Sequence, residues 1–285
     1  MKLADNIQEV SEIVADWKQA KKTIAFVPTM GNLHDGHLSL VEKAHAIADK
    51  VVVSIFVNPM QFGPNEDFDA YPRTLELDEK ALSEKKVDLL FLPTNAVIYP
   101  NSVEVTTQVN VPGLSEILCG AHRPGHFLGV STIVNKFFNI VQPDKAVFGQ
   151  KDFQQVAIIK KMVTDLFMPI EIIAMPTRRE ADGLAMSSRN QYLTDSDRKK
   201  ASKIYELMKQ MADLIKNGAE IAEIESNALA ILKSNGFEPE YFSFRDPVTL
   251  VPLKSPQTDM VIVVAARLGT TRLIDNWLFS LRNAA

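Results

Sequence analysis

The chain has 285 residues, 46% of them hydrophobic and 23% charged, with a formal net charge of −4 and a single cysteine, Cys119. That length predicts one large domain or two, with enough apolar material for a core that needs no disulfide or structural metal. One cysteine excludes an intrachain disulfide and a cysteine-rich metal site. The acidic balance gives no hint of a nucleic-acid-binding face, and no window reaches the 18 apolar residues of a membrane span.

In chain order, MKLADNIQEVSEIVADWKQAKK reads as a charged amphipathic helix rather than a secretory leader or transit peptide, so a cytoplasmic location is expected. The runs TIAFVP (23–28), VVVSIFVN (51–58), VDLLFLP (87–93), KAVFG (145–149) and IEIIAMP (170–176) each read as a strand buried on both faces. Apolar positions at helical spacing predict helices over 40–48, 75–85, 129–142 and 153–167. Such strands alternating with helices predict a parallel sheet covered on both sides, a Rossmann-like α/β domain spanning 1–176. Beyond Pro176 the pattern changes. The segments 196–218 and 220–236 read as helices, each stopped by Asn-Gly. EYFSFRD (240–246), DMVIVVAARLG (259–269) and TRLIDNWLF (271–279) predict a small antiparallel sheet. A second, smaller α+β domain over 177–285 follows, joined through TRREADGLAMSSRN (177–190).

The chemistry concentrates at the first strand–helix turn. PTMGNLHDGHLSL (28–40) holds two of the five histidines, His34 and His37, three positions apart. In parallel α/β sheets ligands sit at the carboxyl ends of strands, where helix N-termini are electropositive. Gly31 and Gly36 permit tight turning there, and both imidazoles could donate to one anion. Two alternatives stand beside that reading: one histidine caps the helix while the other is a surface residue, or the pair belongs to a zinc site short of ligands. Downstream, Ser187, Ser188 and Arg189 place two hydroxyls and a guanidinium in a polar loop that could close over a triphosphate. Taken alone, that stretch is also a helix N-cap or a linker. Together the two motifs resemble the nucleotidylyltransferase superfamily.

Longer stretches are more specific. FVPTMGNLHDGHLSLV, SIFVNPMQFGPNEDFDAYPRT, RPGHFLGVSTIVNKFFNIVQPD, FGQKDFQQ and READGLAMSSRN together resemble the pantoate–β-alanine ligases. The likeness covers the first domain nearly end to end and continues more loosely through YFSFRD and AARLGTTRLIDN. It implies condensation of (R)-pantoate with β-alanine, driven by cleavage of ATP to AMP and pyrophosphate through an enzyme-bound pantoyl adenylate. It also implies a homodimer, with small-molecule substrates and neither nucleic acid nor membrane as partner.

The residue assignments follow the matched motifs. His34, His37, Lys151, Ser187, Ser188 and Arg189 are the expected catalytic set. Met30, Gly31, Gly36, Gly149, Asp152, Arg178 and Met186 join them in holding ATP. Lys151 alone would read as a surface lysine, and Asp152 equally as a helix N-cap. Gln61 and Gln155 are expected to bind pantoate, since glutamine offers a donor to a carboxylate and an acceptor to a hydroxyl. Gln155 also reads as an exposed helix position, with Gln154 beside it. Met30 supplies apolar wall and Asn58 shapes the pocket. Mg²⁺ is expected with the triphosphate, held mostly by phosphate and water. Asp78 is its outer-shell candidate, or else an exposed helix carboxylate.

Departures from the family pattern are few. Arg178 stands where a valine is usual, and Cys119 and His122 occupy positions where other residues are common. Arg123 and His126 fit RPGHF without an assigned role. Competing functions are an adenylyltransferase that stops at nucleotide transfer, an aminoacyl-tRNA synthetase sharing H-x-G-H, and an ATP sensor without turnover. The second domain is expected to act as a lid, because an acyl adenylate hydrolyses when water reaches it.

Overall fold

A computed structural model describes residues 1–64 and 66–282. The chain forms two compact units, one of residues 1–150 and 158–176, the other of residues 151–157 and 177–285.

The first unit contains β1 (Lys2–Ala4), α1 (Ile7–Gln19), β2 (Ile24–Thr29), α2 (Asp35–Ile47), β3 (Lys50–Ile55), α3 (Leu75–Glu84), β4 (Leu89–Phe91), α4 (Asn95–Ile98), α5 (Cys119–His122), α6 (His126–Val141) and β5 (Lys145–Gly149). α7 (Phe153–Asp165) and β6 (Glu171–Met175) follow. The strands form one sheet in the order β1-β4-β3-β2-β5-β6, every pair parallel. β2 runs through its centre, with Ile24 to Val27 wholly buried. Its alternating side chains feed two cores. Ala25 and Val27 pack with Leu40, Val41 and Ala44 of α2. On the opposite face Phe26 meets Phe137 and Phe138 of α6 edge-on. The expected Rossmann-like sheet is therefore present.

Its edges depart from expectation for physical reasons. β1 is only three residues long with one buried side chain, too short to show as an apolar run. Among the described residues β6 pairs with β5 alone, and its residues are exposed or half-buried rather than covered on both faces. β3 stops at Ile55 because the chain leaves the sheet for a short 3₁₀ turn, Pro59–Gln61, capped by Asn58. α6 begins at His126, directly after Gly125 in a left-handed conformation, rather than at 129.

The second unit contains α8 (Asp195–Ala201), α9 (Lys203–Lys216), α10 (Ile221–Ser234), β7 (Glu238–Arg245), β8 (Asp259–Leu268) and β9 (Thr271–Ser280). The single helix expected over 196–218 is two, meeting at Ser202, where no sequence signal marks a break. β7, β8 and β9 form an antiparallel sheet with β8 central. Ile204, Leu207, Met208 and Met211 of α9 and Ile224, Ala228 and Leu232 of α10 pack against Phe242, Phe244, Ile262 and Val264 of that sheet.

Candidate active site

The strand order reverses between β2 and β5, and in open α/β sheets ligands favour the carboxyl ends of the strands beside such a reversal. The loop leaving β2 there is held from below by Asp78. One oxygen accepts from the Asn32 N–H at 2.8 Å, and the other from the Leu33 N–H at 2.8 Å and the Thr74 hydroxyl at 3.2 Å. At 3% exposure Asp78 is not the surface carboxylate of the sequence reading; it braces the loop. Gly31 turns the chain at φ +82, where an added Cβ would sit 3.0 Å from Ile55 Cγ2 and 3.1 Å from Asp78 Oδ2.

His34 is the N-cap of α2, its Nδ1 accepting the Gly36 N–H at 3.1 Å. His37, in the first turn, accepts the His34 N–H on its own Nδ1 at 3.3 Å. The two histidines thus form a reciprocal capping box, built from imidazoles instead of the usual hydroxyl and carboxyl. Both histidines cap the helix, so the alternative with one of them as a bystander does not hold. With Nδ1 accepting in both rings, the neutral tautomer of each carries its proton on Nε2. The ring centroids are 4.1 Å apart. Gly149 ends β5 with open space over its Cα.

Met30, Asn58 and Gln61 come together in the same unit. Gln61 Nε2 lies 3.0 Å from Met30 Sδ, and its Oε1 accepts from Asn58 Nδ2 at 3.2 Å. Asn58 is 1% exposed, and its amide also reaches the Gly129 carbonyl and accepts the Tyr99 hydroxyl at 2.6 Å. Its side chain is therefore committed to holding the turn that presents Gln61. Gly129 lets α6 touch that turn, since a Cβ there would lie 2.3 Å from the Met60 carbonyl oxygen. The RPGHF residues act on the same point. Arg123 grips Glu66 with two bonds of 2.6 Å and donates from Nη1 toward His126 Nε2 at 3.0 Å. His126 Nδ1 sits 2.8 Å from the Gln61 carbonyl oxygen. A carbonyl only accepts, so His126 is protonated on Nδ1 and takes the arginine proton on Nε2.

The second unit holds the other candidates. Lys151 and Ser187 line one small recess together with Asn190, Tyr205 and Asp275. Asp152 precedes α7, its carbonyl accepting the Val156 N–H. Gln154 is buried and Gln155 half-buried, which settles the helix phase in favour of Gln155 as the more open amide. Arg178 is exposed, and its carbonyl accepts the Met186 N–H, closing a turn over 178–186. Ser187 caps the short 3₁₀ helix Ser188–Tyr192 by accepting the Arg189 N–H at 3.3 Å. The N-cap alternative for this stretch is thus realised. Ser188 and Arg189 are half-buried.

A sequence profile of the pantoate-beta-alanine ligase family matches residues 2–278. The chain belongs to that family. The ligase is 53% identical over 279 residues to the pantothenate synthetase of Shewanella loihica, covering 98% of this chain and 99% of the relative. The crystal structure of pantothenate synthetase from Thermus thermophilus superposes with a TM-score of 0.91 at 42% identity, covering 97% of this chain and 99% of that one. A Francisella tularensis pantoate-beta-alanine ligase, solved with beta-gamma ATP and beta-alanine, gives 0.82 at 37% identity, covering 98% and 97%.

Sequence reasoning on the ligase missed the residues that act through others. Asp275 stands between Leu273 and Trp277 on the core-facing phase of β9, where a carboxylate signals a buried partner. Glu66 carried no such signal, because only the fold brings it to Arg123. Among the described residues no helix is long and apolar enough to cross a membrane.

Proposed function

We propose that the ligase joins (R)-pantoate to β-alanine in two steps, through a pantoyl adenylate. A pantoate carboxylate oxygen attacks the α-phosphorus of ATP, and the bond to the β-phosphate breaks with pyrophosphate leaving. The β-alanine amine then attacks the acyl carbon, a C–N bond forms, AMP departs with the C–O electron pair, and the amine proton passes to solvent.

The observation that carries this reading is the reciprocal cap of His34 and His37. It leaves Nε2–H as the donor of both rings at the electropositive start of α2, suited to charge growing on departing pyrophosphate. Lys151, Ser187, Ser188 and Arg189 serve the same phosphates. Met30, Gly31, Gly36, Gly149, Asp152, Arg178 and Met186 hold the rest of the nucleotide, Arg178 through its backbone. Gln61 and Gln155 bind pantoate, with Met30 against its methyl groups. Mg²⁺ arrives as part of the nucleotide substrate, held by phosphate oxygens and water. Asp78, whose two oxygens also hold the loop after β2, is the outer-shell candidate for that ion. The second unit acts as a lid that keeps water from the adenylate. The ligase works in the cytoplasm as a homodimer, the commonest closed assembly.

The test is pyrophosphate exchange into ATP, with Mg²⁺ and without β-alanine. Exchange that requires pantoate supports the adenylate. Its absence, alongside full pantothenate synthesis when β-alanine is added, refutes a free-standing first step.

A further inference from the structure

The T-R-L-I-D-N stretch on β9 has no part in the reaction as proposed, yet two of its residues reach both phosphate-handling segments of the second unit. Asp275 accepts Arg179 Nη1 at 2.6 Å and Nη2 at 2.9 Å across 96 residues of chain. Arg179 also donates to the Gly183 carbonyl at 3.1 Å, and its guanidinium lies 4.0 Å over the Tyr205 ring. These contacts fasten the closed turn over 178–186, which runs directly into Met186–Arg189. The next residue on the strand, Asn276, donates from Nδ2 to the Lys151 carbonyl at 2.9 Å, across 125 residues. The Asn276 N–H donates to Asp275 at 2.7 Å, coupling the two anchors.

Stability alone does not account for this arrangement. A carboxylate as buried as Asp275 is costly to desolvate, and well-packed apolar residues in place of such an ion pair are often neutral or stabilising. What apolar residues cannot do is fix two backbone segments at hydrogen-bond precision.

We propose that Asp275 and Asn276 are positioning residues for adenylate formation, setting the Lys151 turn and the Ser187–Arg189 segment in register from a single strand. This rests on the reading that Lys151 and Ser187–Arg189 hold the triphosphate. The effect therefore belongs to the ATP half-reaction and spares aminolysis.

The experiment compares Asn276→Ala, the paired replacement Arg179→Met with Asp275→Leu, Lys151→Ala, and the double variant Lys151→Ala with Asn276→Ala. Pantoate-dependent pyrophosphate exchange and the KM values for ATP and β-alanine are measured on the folded ligase. Misplacing catalytic groups by about an ångström costs on the order of a hundredfold. Expected are a fall in exchange of about tenfold or more for Asn276→Ala and for the paired replacement, a raised KM for ATP, and an unchanged KM for β-alanine. Asn276→Ala is expected to add little once Lys151 is already alanine, because it acts through that turn. The paired replacement reads the same effect if Asn276→Ala does not fold. Unchanged exchange, a rate loss with every KM unaltered, or full additivity with Lys151→Ala overturns the proposal. If Lys151→Ala itself leaves exchange intact, the underlying assignment of the phosphate site fails and takes this inference with it. If Lys151→Ala abolishes exchange while both other variants retain it, only the positioning role is lost.

Discussion

The His34–His37 turn and the Lys151 and Ser187–Arg189 segments are candidates for handling the same phosphates, but they are held in different ways. The histidines are set by their own neighbours, through bonds spanning two or three residues, with Asp78 beneath the preceding loop. The segments of the second unit take their anchors from β9, 96 and 125 residues away. A locally built turn is in place once its helix starts. A turn held from a distant strand is correct only when that whole unit is correct, so its geometry is open to change from far along the chain.

The largest effect expected from this contrast is on turnover. His37→Ala and His34→Ala should each lower kcat by about a hundredfold, the usual consequence of losing a transition-state donor. His34→Asn sharpens the point, since asparagine caps a helix well but has no Nε2 donor. Its urea unfolding should match the parent while kcat stays low. Parental turnover in His34→Asn would make the histidine a cap and nothing more.

Asp78→Ala takes the acceptor from the part-buried Asn32 and Leu33 N–H groups and should cost roughly 2 kcal/mol in chemical denaturation, given about 1–3 kcal/mol for one fully buried unanswered group. An unchanged midpoint would mean that the loop supports itself.

Ser187→Ala probes the other region. Its cap is a single bond of 3.3 Å on a five-residue 3₁₀ helix. The stability loss should stay below about 1 kcal/mol, with exchange falling more than stability does. A larger loss in unfolding than in exchange would assign the hydroxyl to structure.

The smallest effect concerns acid stability. Burial alone would raise the Glu66 carboxyl, but the hydrogen bonds and charge of Arg123 outweigh it and hold the group below its ordinary value. The unfolded chain then binds that proton more readily than the native one. The contribution is complete above the ordinary glutamate range, about 4.3, and fades as pH falls through the lower native value. Glu66→Gln should flatten the decline of the thermal midpoint over that acid window. An identical decline in both proteins would show that the pair contributes nothing there.

The same division between near and far explains what the sequence made legible. β2, β3 and β5 stand out because strands buried on both faces must be apolar throughout. His34 and His37 stand out because their spacing is that of a helix start. Lys151 and Gln61 are legible chiefly through family motifs, whereas the Ser-Ser-Arg triplet also shows by its chemistry, two hydroxyls and a guanidinium in a polar loop. Asn58 and Asp78 were placed near the chemistry, but their burial and their work on backbone groups needed the fold. Arg179 with Asp275, and Glu66 with Arg123, are pairs whose partners are dozens of residues apart or more, and no local periodicity connects them.

The pairing of β1 has a consequence in time. Among the described residues, Lys2–Ala4 has its one strand partner in Leu89–Phe91. At ribosomal rates of about 5–20 residues per second, the first strand waits on the order of ten seconds for its neighbour to be made. The helix that follows it makes its backbone bonds within its own residues, whereas the strand stays unpaired until β4 has emerged. With just one buried side chain and a charged residue at its head, β1 is poorly suited to recruiting the wrong partner during that interval. Its weakness as a strand is then what protects the nascent chain.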